Sequence, residues 1–241
     1  MSQHHDPNAA IWQSGDIAAH WAAEAAERER LHAAPWKLMA ELLPFGRDDS
    51  FTFADLGAGT GNSARAVLGE YPGSTAILAD FSTEMMAAGR EQMRPFDGRY
   101  RYVEFDLNKE ESWPQEIPAT VDAVLTSLCV HHLADQRKAS LIAEIFGRLA
   151  PGGWYFNYDP VRTDDPLVTS AWQRAADRGN PAAAHKREHR TAEEQARWDN
   201  HVRFIAPLEP QLGYLRDAGF DGIDVYYKRL EYVIFGGCRP R

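Results

Sequence analysis

The stretch Phe53-Ala-Asp-Leu-Gly-Ala-Gly-Thr-Gly-Asn62 decides the fold class of this 241-residue chain. An apolar run leads into three glycines at alternate positions, Gly57, Gly59 and Gly61, and a helical pattern follows them. Glycine permits a tight turn and lets a ligand approach the backbone closely. We therefore predict a strand, a glycine loop and a helix in this order, with a ligand held at the loop.

Strand and helix patterns alternate along most of the remaining chain. Strands are predicted over residues 51–56, 75–80, 100–106, 121–128, 154–158, 222–227 and 232–235. Helices of the same region are predicted over residues 62–71, 82–93, 135–149 and 210–218. This alternation predicts an α/β fold with a doubly wound, Rossmann-like, seven-stranded sheet that is mostly parallel. The last two strands are joined by a connection of hairpin length, so we expect the last strand to be antiparallel.

Helical regions flank this core within a single predicted domain over residues 1–241. In chain order we divide it into an N-terminal helical cap (1–46), a ligand-binding core (47–159), a helical lid insertion (160–207) and a C-terminal helix and hairpin of the core (208–241). The cap is predicted to hold two helices between residues 17 and 43 that break or kink at Pro35. The lid is predicted to hold helices over 166–178 and 191–204.

The composition excludes several classes of protein. Hydrophobic residues make up 44% and charged residues 25%, which is typical of a globular chain. No apolar stretch approaches the roughly 18 residues of a membrane helix, and the first residues lack the pattern of a signal peptide, so we expect a cytoplasmic protein with no membrane partner. Two cysteines are too few for a disulfide framework. The net charge of −9 opposes binding to a phosphate backbone, which makes nucleic acid a poor candidate partner.

Carboxylates stand beside the glycine loop and at the ends of the next two strands. Asp55 precedes the loop by two residues, where its charge would repel a diphosphate. A dinucleotide-binding loop would also need glycine at the sixth position of its run, where this chain has Asn62. Asp80 is placed to accept hydrogen bonds from two ribose hydroxyls, and Asp106 lies at the equivalent end of the following strand. These residues favour a cationic ligand that carries a ribose.

At these residues the chain resembles the class I S-adenosylmethionine-dependent methyltransferases. The resemblance is strong from residue 51 to residue 159 and looser from 211 to 237. It includes Leu128-Cys-Val-His-His-Leu133, which is similar to the family's segment after strand four, and Leu149-Ala-Pro-Gly-Gly153, which is similar to its turn before strand five. The resemblance implies S-adenosylmethionine as cofactor, S-adenosylhomocysteine as product, and a sheet whose seventh strand is antiparallel.

The resemblance also implies which residues hold this cofactor. The glycine loop cradles the methionine part, Asp80 binds the ribose and Asp106 faces the adenine amino group. Phe81 and Met85 offer apolar contacts to adenine, although helical spacing also suits both as core residues. The predicted cofactor set is Asp55, Gly57, Ala58, Gly59, Gly61, Asp80, Phe81, Met85, Asp106, Leu107 and Ser127.

Candidates for catalysis and for binding of the methyl acceptor follow predicted strands four and five. His131 and His132 lie just past strand four, and a histidine near its usual pKa can relay a proton at neutral pH. Asp159 at the end of strand five is the other catalytic candidate. The alternatives are packing under the next helix for the histidines and capping for Asp159. The predicted acceptor-binding residues are Trp21, Tyr155 and Tyr158.

Three histidines in the predicted lid raise the question of a metal site. His185, His189 and His201 are separated by 4 and 12 residues. No cysteine or convincing carboxylate pattern accompanies these spacings. We therefore interpret the stretch as a solvated face of the lid and predict no metal ligands.

The predicted function is transfer of a methyl group from S-adenosylmethionine to a small-molecule acceptor. The aromatic residues around the predicted acceptor site favour an aromatic or heterocyclic compound that is methylated on oxygen or nitrogen. Two alternatives stay open. One is a methyltransferase that modifies tRNA, which the net charge opposes, and the other is a non-catalytic module that binds S-adenosylmethionine. We expect a monomer or a homodimer.

Overall fold

A computed structural model describes residues 25–109 and 113–241 of the chain. At their centre lies a seven-stranded sheet. Its strands are β1 (Thr52–Leu56), β2 (Thr75–Asp80), β3 (Tyr100–Glu104), β4 (Val121–Ser127), β5 (Leu149–Pro160), β6 (Asp221–Arg229) and β7 (Tyr232–Cys238). The sheet confirms the predicted α/β fold class.

The strand order is β3-β2-β1-β4-β5-β7-β6. Neighbouring strands from β3 to β5 pair in parallel, whereas β7 is antiparallel to both β5 and β6. The predicted antiparallel last strand is thereby confirmed. The chain passes from β1 to β2 on one side and later returns to β4 on the other side of β1. The connections after β1 and β4 therefore diverge, and a crevice opens at the carboxyl ends of these strands.

Helices cover both faces of the sheet, as a doubly wound fold requires. They are α1 (Ala25–Glu41), α2 (Asn62–Glu70), α3 (Thr83–Met93), α4 (Asp135–Arg148), α5 (Pro166–Gly179), α6 (Pro181–Glu188), α7 (Ala192–Val202) and α8 (Leu208–Ala218). On one face, Phe53 and Leu78 share a buried apolar cluster with side chains of α1, α2 and α3. On the other face, Ala54 and Ile77 share a cluster with side chains of α4 and α8. Adjacent residues of β1 thus point into different cores, because side chains alternate along a strand.

Helix α1 excludes one of the two predicted alternatives at Pro35, a break between two helices. A single helix continues through this proline. Proline in a helix interior removes a hydrogen bond and costs about 3 kcal/mol. Three buried side chains that follow it, Trp36, Met39 and Leu43, pack into the core at α2. Their burial, worth roughly 1.5–3 kcal/mol for each large apolar side chain, offsets the cost of the proline.

The segment after β5 holds α5, α6 and α7, and none of the side chains of these helices is buried. Helix α6 is absent from the predicted elements. The Asn180 side chain caps it by accepting a hydrogen bond from the backbone N–H of Ala183, and Pro181 occupies its first turn. The division of the chain into cap, core and lid stays a prediction. Among the described helices, none combines the length and the apolar character that crossing a membrane requires.

Candidate functional site

Tight packing explains the glycines of the loop between β1 and α2. Gly57, Gly59 and Gly61 have φ values of 67°, 53° and 81°, in the left-handed region that favours glycine. A β-carbon added to Gly57 would lie 2.0 Å from Cys129 Sγ, and one added to Gly61 would lie 2.7 Å from Met93 Sδ. The loop therefore requires glycine at both places for two separate reasons, backbone conformation and space.

Asp80 fastens the glycine loop to the end of β2. Its Oδ2 accepts a hydrogen bond from the backbone N–H of Gly59 at 2.7 Å, and its Oδ1 accepts one from that of Ser82 at 2.8 Å. Burial raises the pKa of Asp80, and these backbone hydrogen bonds act in the opposite direction. A carboxylate has about four lone-pair sites, so both oxygens can accept a further hydrogen bond from a ligand.

Asp55 lies beneath the glycine loop and is fully buried. Its Oδ2 accepts hydrogen bonds from Ser63 Oγ at 2.6 Å and from the backbone N–H of Ala64 at 3.1 Å. Its Oδ1 has no hydrogen-bond partner among the described residues. Burial raises the pKa of Asp55 from 3.8 to about 7, although the hydrogen bonds from Ser63 and Ala64 oppose the shift. A cation bound nearby would stabilise the ionised form of this carboxyl group.

A cavity opens at the carboxyl ends of β1, β2 and β4 and beside the residues that follow β3. Most of the predicted cofactor residues line it, namely Gly57, Ala58, Gly59, Asp80, Phe81, Met85, Asp106, Leu107 and Ser127. The two others, Asp55 and Gly61, are outside the lining. Cys129, at the predicted end of strand four, also lines the cavity, and lining residues outside the predicted set are Thr60, Asn62, Ser63, Ser82, Phe105, Asn108, Leu128 and Leu133. The sequence signal that could have found these residues is that they neighbour predicted site residues, because each lies in the glycine loop, in the first turns of a following helix or just after a strand end.

The cavity is polar at one side and largely apolar at another. Asp106 accepts a hydrogen bond from the backbone N–H of Asn108 at 3.0 Å, and its Oδ2 lies 3.9 Å from Lys109 Nζ. Phe81 and Met85 add apolar surface next to these polar groups. The arrangement fits a flat heterocycle that carries a polar edge.

Helix α1 contacts the cavity wall from outside through Trp36, which does not itself line the cavity. The indole Nε1 donates a hydrogen bond to Ser127 Oγ at 2.7 Å. One turn earlier, His32 Nδ1 lies 2.9 Å from the hydroxyl oxygen of Tyr158. These contacts join α1 to the ends of β4 and β5. No local sequence pattern predicts these two contacts, since the residues that each of them joins are far apart in the sequence. The predicted acceptor residue Trp21 lies outside the described residues.

Asp159 holds the turn that follows β4. Its Oδ1 accepts from the backbone N–H of Cys129 at 3.0 Å, and its Oδ2 accepts from that of His131 at 3.1 Å. The side chain of His131 adds a third contact, with Nδ1 2.7 Å from Asp159 Oδ1. Asp159 is 1% exposed and His131 is 5% exposed, and neither lines the cavity. Their contacts match the packing and capping alternatives and position the turn.

Of the two adjacent histidines, His132 is the one that lines the cavity. Burial, followed by the neighbouring imidazoles of His131 and His201 and the charge of Lys138, lowers the pKa of His132 to about 2. Burial and His131 lower the pKa of His201, on α7, to about 4. The imidazoles of His132 and His201 are therefore neutral at pH 7.

Tyr155 and Tyr158, predicted to bind the acceptor, lie in the core instead of the cavity wall. Both are at most 1% exposed. The Tyr155 hydroxyl is 3.1 Å from Thr126 Oγ1, and that of Tyr158 contacts His32. Strand β5 continues past both residues to Pro160, and none of its residues is among those that line the cavity. Binding of the acceptor by Tyr155 and Tyr158 stays a prediction.

Comparison with known proteins finds a family model and several relatives that are similar to this chain. Residues 54–155 match a family model described as a methyltransferase domain. A trans-aconitate 2-methyltransferase from Methylobacterium radiotolerans is 29% identical over 193 residues, which are 77% of this chain and 68% of that protein. A trans-aconitate 2-methyltransferase from Azoarcus sp. is 29% identical over 119 residues, which are 49% of this chain and 43% of that protein. The chain thus spans less than half of the length of the Azoarcus protein.

Solved structures share the architecture. An O-methyltransferase family protein from Burkholderia thailandensis superposes with a TM-score of 0.67 at 21% identity, over 95% of this chain and 64% of that chain. At this identity the likeness is one of fold. The strand order and the antiparallel β7 described above belong to the shared part.

Proposed function

We propose that the chain is a class I S-adenosylmethionine-dependent methyltransferase that transfers a methyl group from S-adenosylmethionine to a small-molecule acceptor. One observation carries the proposal. The glycine loop, Asp80 and Asp106, which are separate in sequence, line one cavity at the carboxyl ends of parallel strands. An open parallel sheet binds its ligand at this place, where the strand order changes direction.

The residues of the cavity fit the parts of the cofactor. Asp80 has lone pairs left to accept from the two ribose hydroxyls. Asp106 is placed for the adenine amino group, with Phe81 and Met85 as apolar contacts for the ring. The backbone of Gly57 and Gly59 lies open to the methionine part. In this assignment the residues that would hold the cofactor lie along the strand ends, beside the turn after β4.

Buried carboxyl groups add an electrostatic preference. Asp55 and Asp80 are both buried below or beside the glycine loop, and burial raises the pKa of each. A cationic ligand therefore gains more here than a neutral one of the same shape, because it compensates charge that water does not reach. The product, which lacks the sulfonium charge, is expected to bind without this gain.

When bound, S-adenosylmethionine supplies an electrophilic methyl group on a positively charged sulfur. The chain's own residues bind both partners and orient the acceptor atom in line with that methyl group. Positioning of this kind accounts for a large part of the rate in reactions between two bound partners. Asp159 and His131 hold the turn that borders the acceptor, so we assign them a positioning role. His132 lines the cavity, and we assign it to acceptor contact.

The proposed acceptor is an aromatic or heterocyclic compound that is methylated on oxygen or nitrogen. Leu128, Cys129, His132 and Leu133 form the wall beyond the cofactor residues. These side chains are mostly apolar, and Asp80 and Asp106 give the cavity a negative character. An acceptor that is apolar and neutral fits this wall better than a carboxylate-rich one.

Product formation with a panel of acceptors tests the proposal. The purified chain is incubated with S-adenosylmethionine and phenols, hydroxylated heterocycles, amines or trans-aconitate, the compound for which two relatives are named. Methylated product and stoichiometric S-adenosylhomocysteine are followed by mass spectrometry. We expect turnover with at least one aromatic or heterocyclic compound. Tight cofactor binding without any transfer would favour the non-catalytic module, and transfer to tRNA alone would favour the RNA-modifying enzyme.

A further inference from the structure

Three histidines from distant parts of the chain meet beside the cavity. His131 and His132 belong to the turn after β4, and His201 lies in the last turn of α7. One ring nitrogen of each lies within 4.8 Å of those of the other two. The ring centroid of His201 is 5.4 Å from that of His131 and 5.0 Å from that of His132. Imidazole nitrogen is a ligand type that suits Zn²⁺ and its neighbours among the transition metals.

His131 has the surroundings of a metal-binding histidine. Its Nδ1 is 2.7 Å from the carboxylate of Asp159, which leaves the lone pair on Nε2 as the ligand position. This Nε2 is buried and has no hydrogen-bond partner among the described residues. In metal-binding histidines, the ring nitrogen that does not bind the metal characteristically donates a hydrogen bond to a carboxylate or another acceptor. This hydrogen bond orients the ring and makes the other nitrogen a stronger ligand. Neither packing nor capping of the turn explains the unpartnered Nε2.

We propose that a divalent transition-metal ion of the Zn²⁺ class binds between His131, His132 and His201. In a tetrahedral site with zinc–nitrogen bonds of about 2.0 Å, ligand nitrogens lie about 3.3 Å apart. The ring nitrogens of the three histidines are at most 4.8 Å apart. Binding of the ion then requires the widest of these nitrogen–nitrogen distances to shorten by about 1.5 Å at most. His201 is partly exposed and belongs to a helix with no buried side chains, so the lid can make this movement while the buried turn stays in place. Three protein ligands leave the fourth position open.

Such an ion fastens α7 to the turn after β4. The contacts between these two elements run through the histidine cluster. Because His132 also lines the cavity, the metal site and the cavity share a wall. The inference goes beyond methyl transfer, since binding of the ion to the three imidazoles requires neither cofactor nor acceptor.

Metal titration of the full chain tests the proposal. Chelator-treated protein is titrated with Zn²⁺ by calorimetry and with Co²⁺ by absorption spectroscopy, both without S-adenosylmethionine. We expect one strong Zn²⁺ site, and visible Co²⁺ bands of the intensity typical of tetrahedral coordination. His201→Ala is expected to weaken Zn²⁺ binding by at least about tenfold, because it removes a ligand outright. Its side chain is partly exposed, and circular dichroism verifies that the variant keeps its fold.

The lid provides a matched control in His185 and His189. His185 lies in α6 and His189 directly follows it, and their two rings stack on each other with centroids 4.0 Å apart. The double variant His185→Ala/His189→Ala therefore removes two imidazoles from the lid but none from the proposed site. We expect its Zn²⁺ affinity to equal that of the unmodified chain. Absence of a strong site in the unmodified chain, retained affinity in His201→Ala, or a loss confined to the control would overturn the proposal. None of these results bears on methyl transfer, because cofactor and acceptor are left out.

Discussion

The indole of Trp36 donates a hydrogen bond to Ser127 Oγ, 2.7 Å away, and so ties helix α1 to the wall of the cofactor cavity. A hydrogen bond of this kind contributes about 0.5–1.5 kcal/mol net. It also fixes the rotamer of a serine that faces the ligand. The cap helix thereby takes part in shaping the cavity.

Trp36→Phe is expected to weaken cofactor binding about three- to tenfold and to lower the free energy of unfolding by about 1 kcal/mol, since it keeps an aromatic ring but loses the donor. Equilibrium dialysis with labelled S-adenosylmethionine and urea unfolding measure the two effects. Trp154→Phe is the control, because Trp154 stacks on Phe156 in the sheet and does not line the cavity. If both variants bind the cofactor alike, Trp36 has no role at the cavity.

Asp80→Ala is expected to weaken S-adenosylmethionine binding by about 1–3 kcal/mol, or roughly five- to 150-fold. The ribose hydroxyls lose a charged acceptor, and the backbone N–H groups of Gly59 and Ser82 lose theirs. Equilibrium dialysis gives the affinity, and circular dichroism verifies the fold. The exposed Asp97, which lies outside the cavity, serves as control through Asp97→Ala. Equal affinities for the two variants would remove Asp80 from the ribose site.

Gly57→Ala is expected to destabilise the chain by about 2–5 kcal/mol. The methyl group would meet Cys129 Sγ at 2.0 Å, and a residue other than glycine is strained at a φ of 67°. Gly69→Ala is the matched control, because a β-carbon there meets no atom within 4 Å and the residue lies in α2. This control is expected to be neutral or to stabilise by up to about 1 kcal/mol. Urea unfolding compares the two variants, and equal stabilities would contradict the packing of the loop.

The stability of the cofactor-free chain is expected to fall as pH rises from about 4 to about 7 through the contribution of Asp55. The ordinary pKa of an aspartate side chain is 3.8, and burial raises that of Asp55 to about 7, so the folded state retains a proton that the unfolded chain releases. The unfolded state therefore binds fewer protons between these values, and the free energy of unfolding decreases there. The full shift corresponds to about 4 kcal/mol.

Asp55→Asn removes this titration while it keeps an oxygen that can accept from Ser63 and Ala64. The free energy of unfolding of the variant, minus that of the unmodified chain, is expected to be larger at pH 8 than at pH 5. Urea unfolding at both pH values measures the difference. Asp97→Asn, at an exposed site outside the cavity, is the control for the change of aspartate to asparagine. Parallel stability curves for Asp55→Asn and the unmodified chain would show that Asp55 ionises normally in the fold.

Local sequence patterns were enough to predict the seven strands of the sheet and the antiparallel direction of the last one. The strand over residues 75–80 has the predicted bounds, because an apolar run ends sharply at Asp80. The glycine loop and the acids at strand ends led to most residues of the cavity, since parallel strands bring their carboxyl ends together. These features depend on short stretches of sequence, and rules based on local hydrophobic patterns predict such features well.

Features that depend on distant partners escaped prediction. Pro35 marks a helix end by its own chemistry, but burial of the side chains after it keeps α1 whole. His201 was grouped with His185 and His189 by sequence, whereas folding places it against His131 and His132. Tyr155 and Tyr158 are predicted at the acceptor because they are aromatic residues near the end of predicted strand five, whereas the fold buries both among core side chains. In each case a tertiary contact decided what the local pattern left open.

Binding of S-adenosylmethionine at the glycine loop is measured by calorimetric titration of the purified chain, with a nicotinamide dinucleotide titrated in a separate experiment. We expect one site for S-adenosylmethionine and no measurable heat of binding for the dinucleotide. A folded chain that takes up only the dinucleotide, or neither compound, would overturn the assignment of this cavity to S-adenosylmethionine.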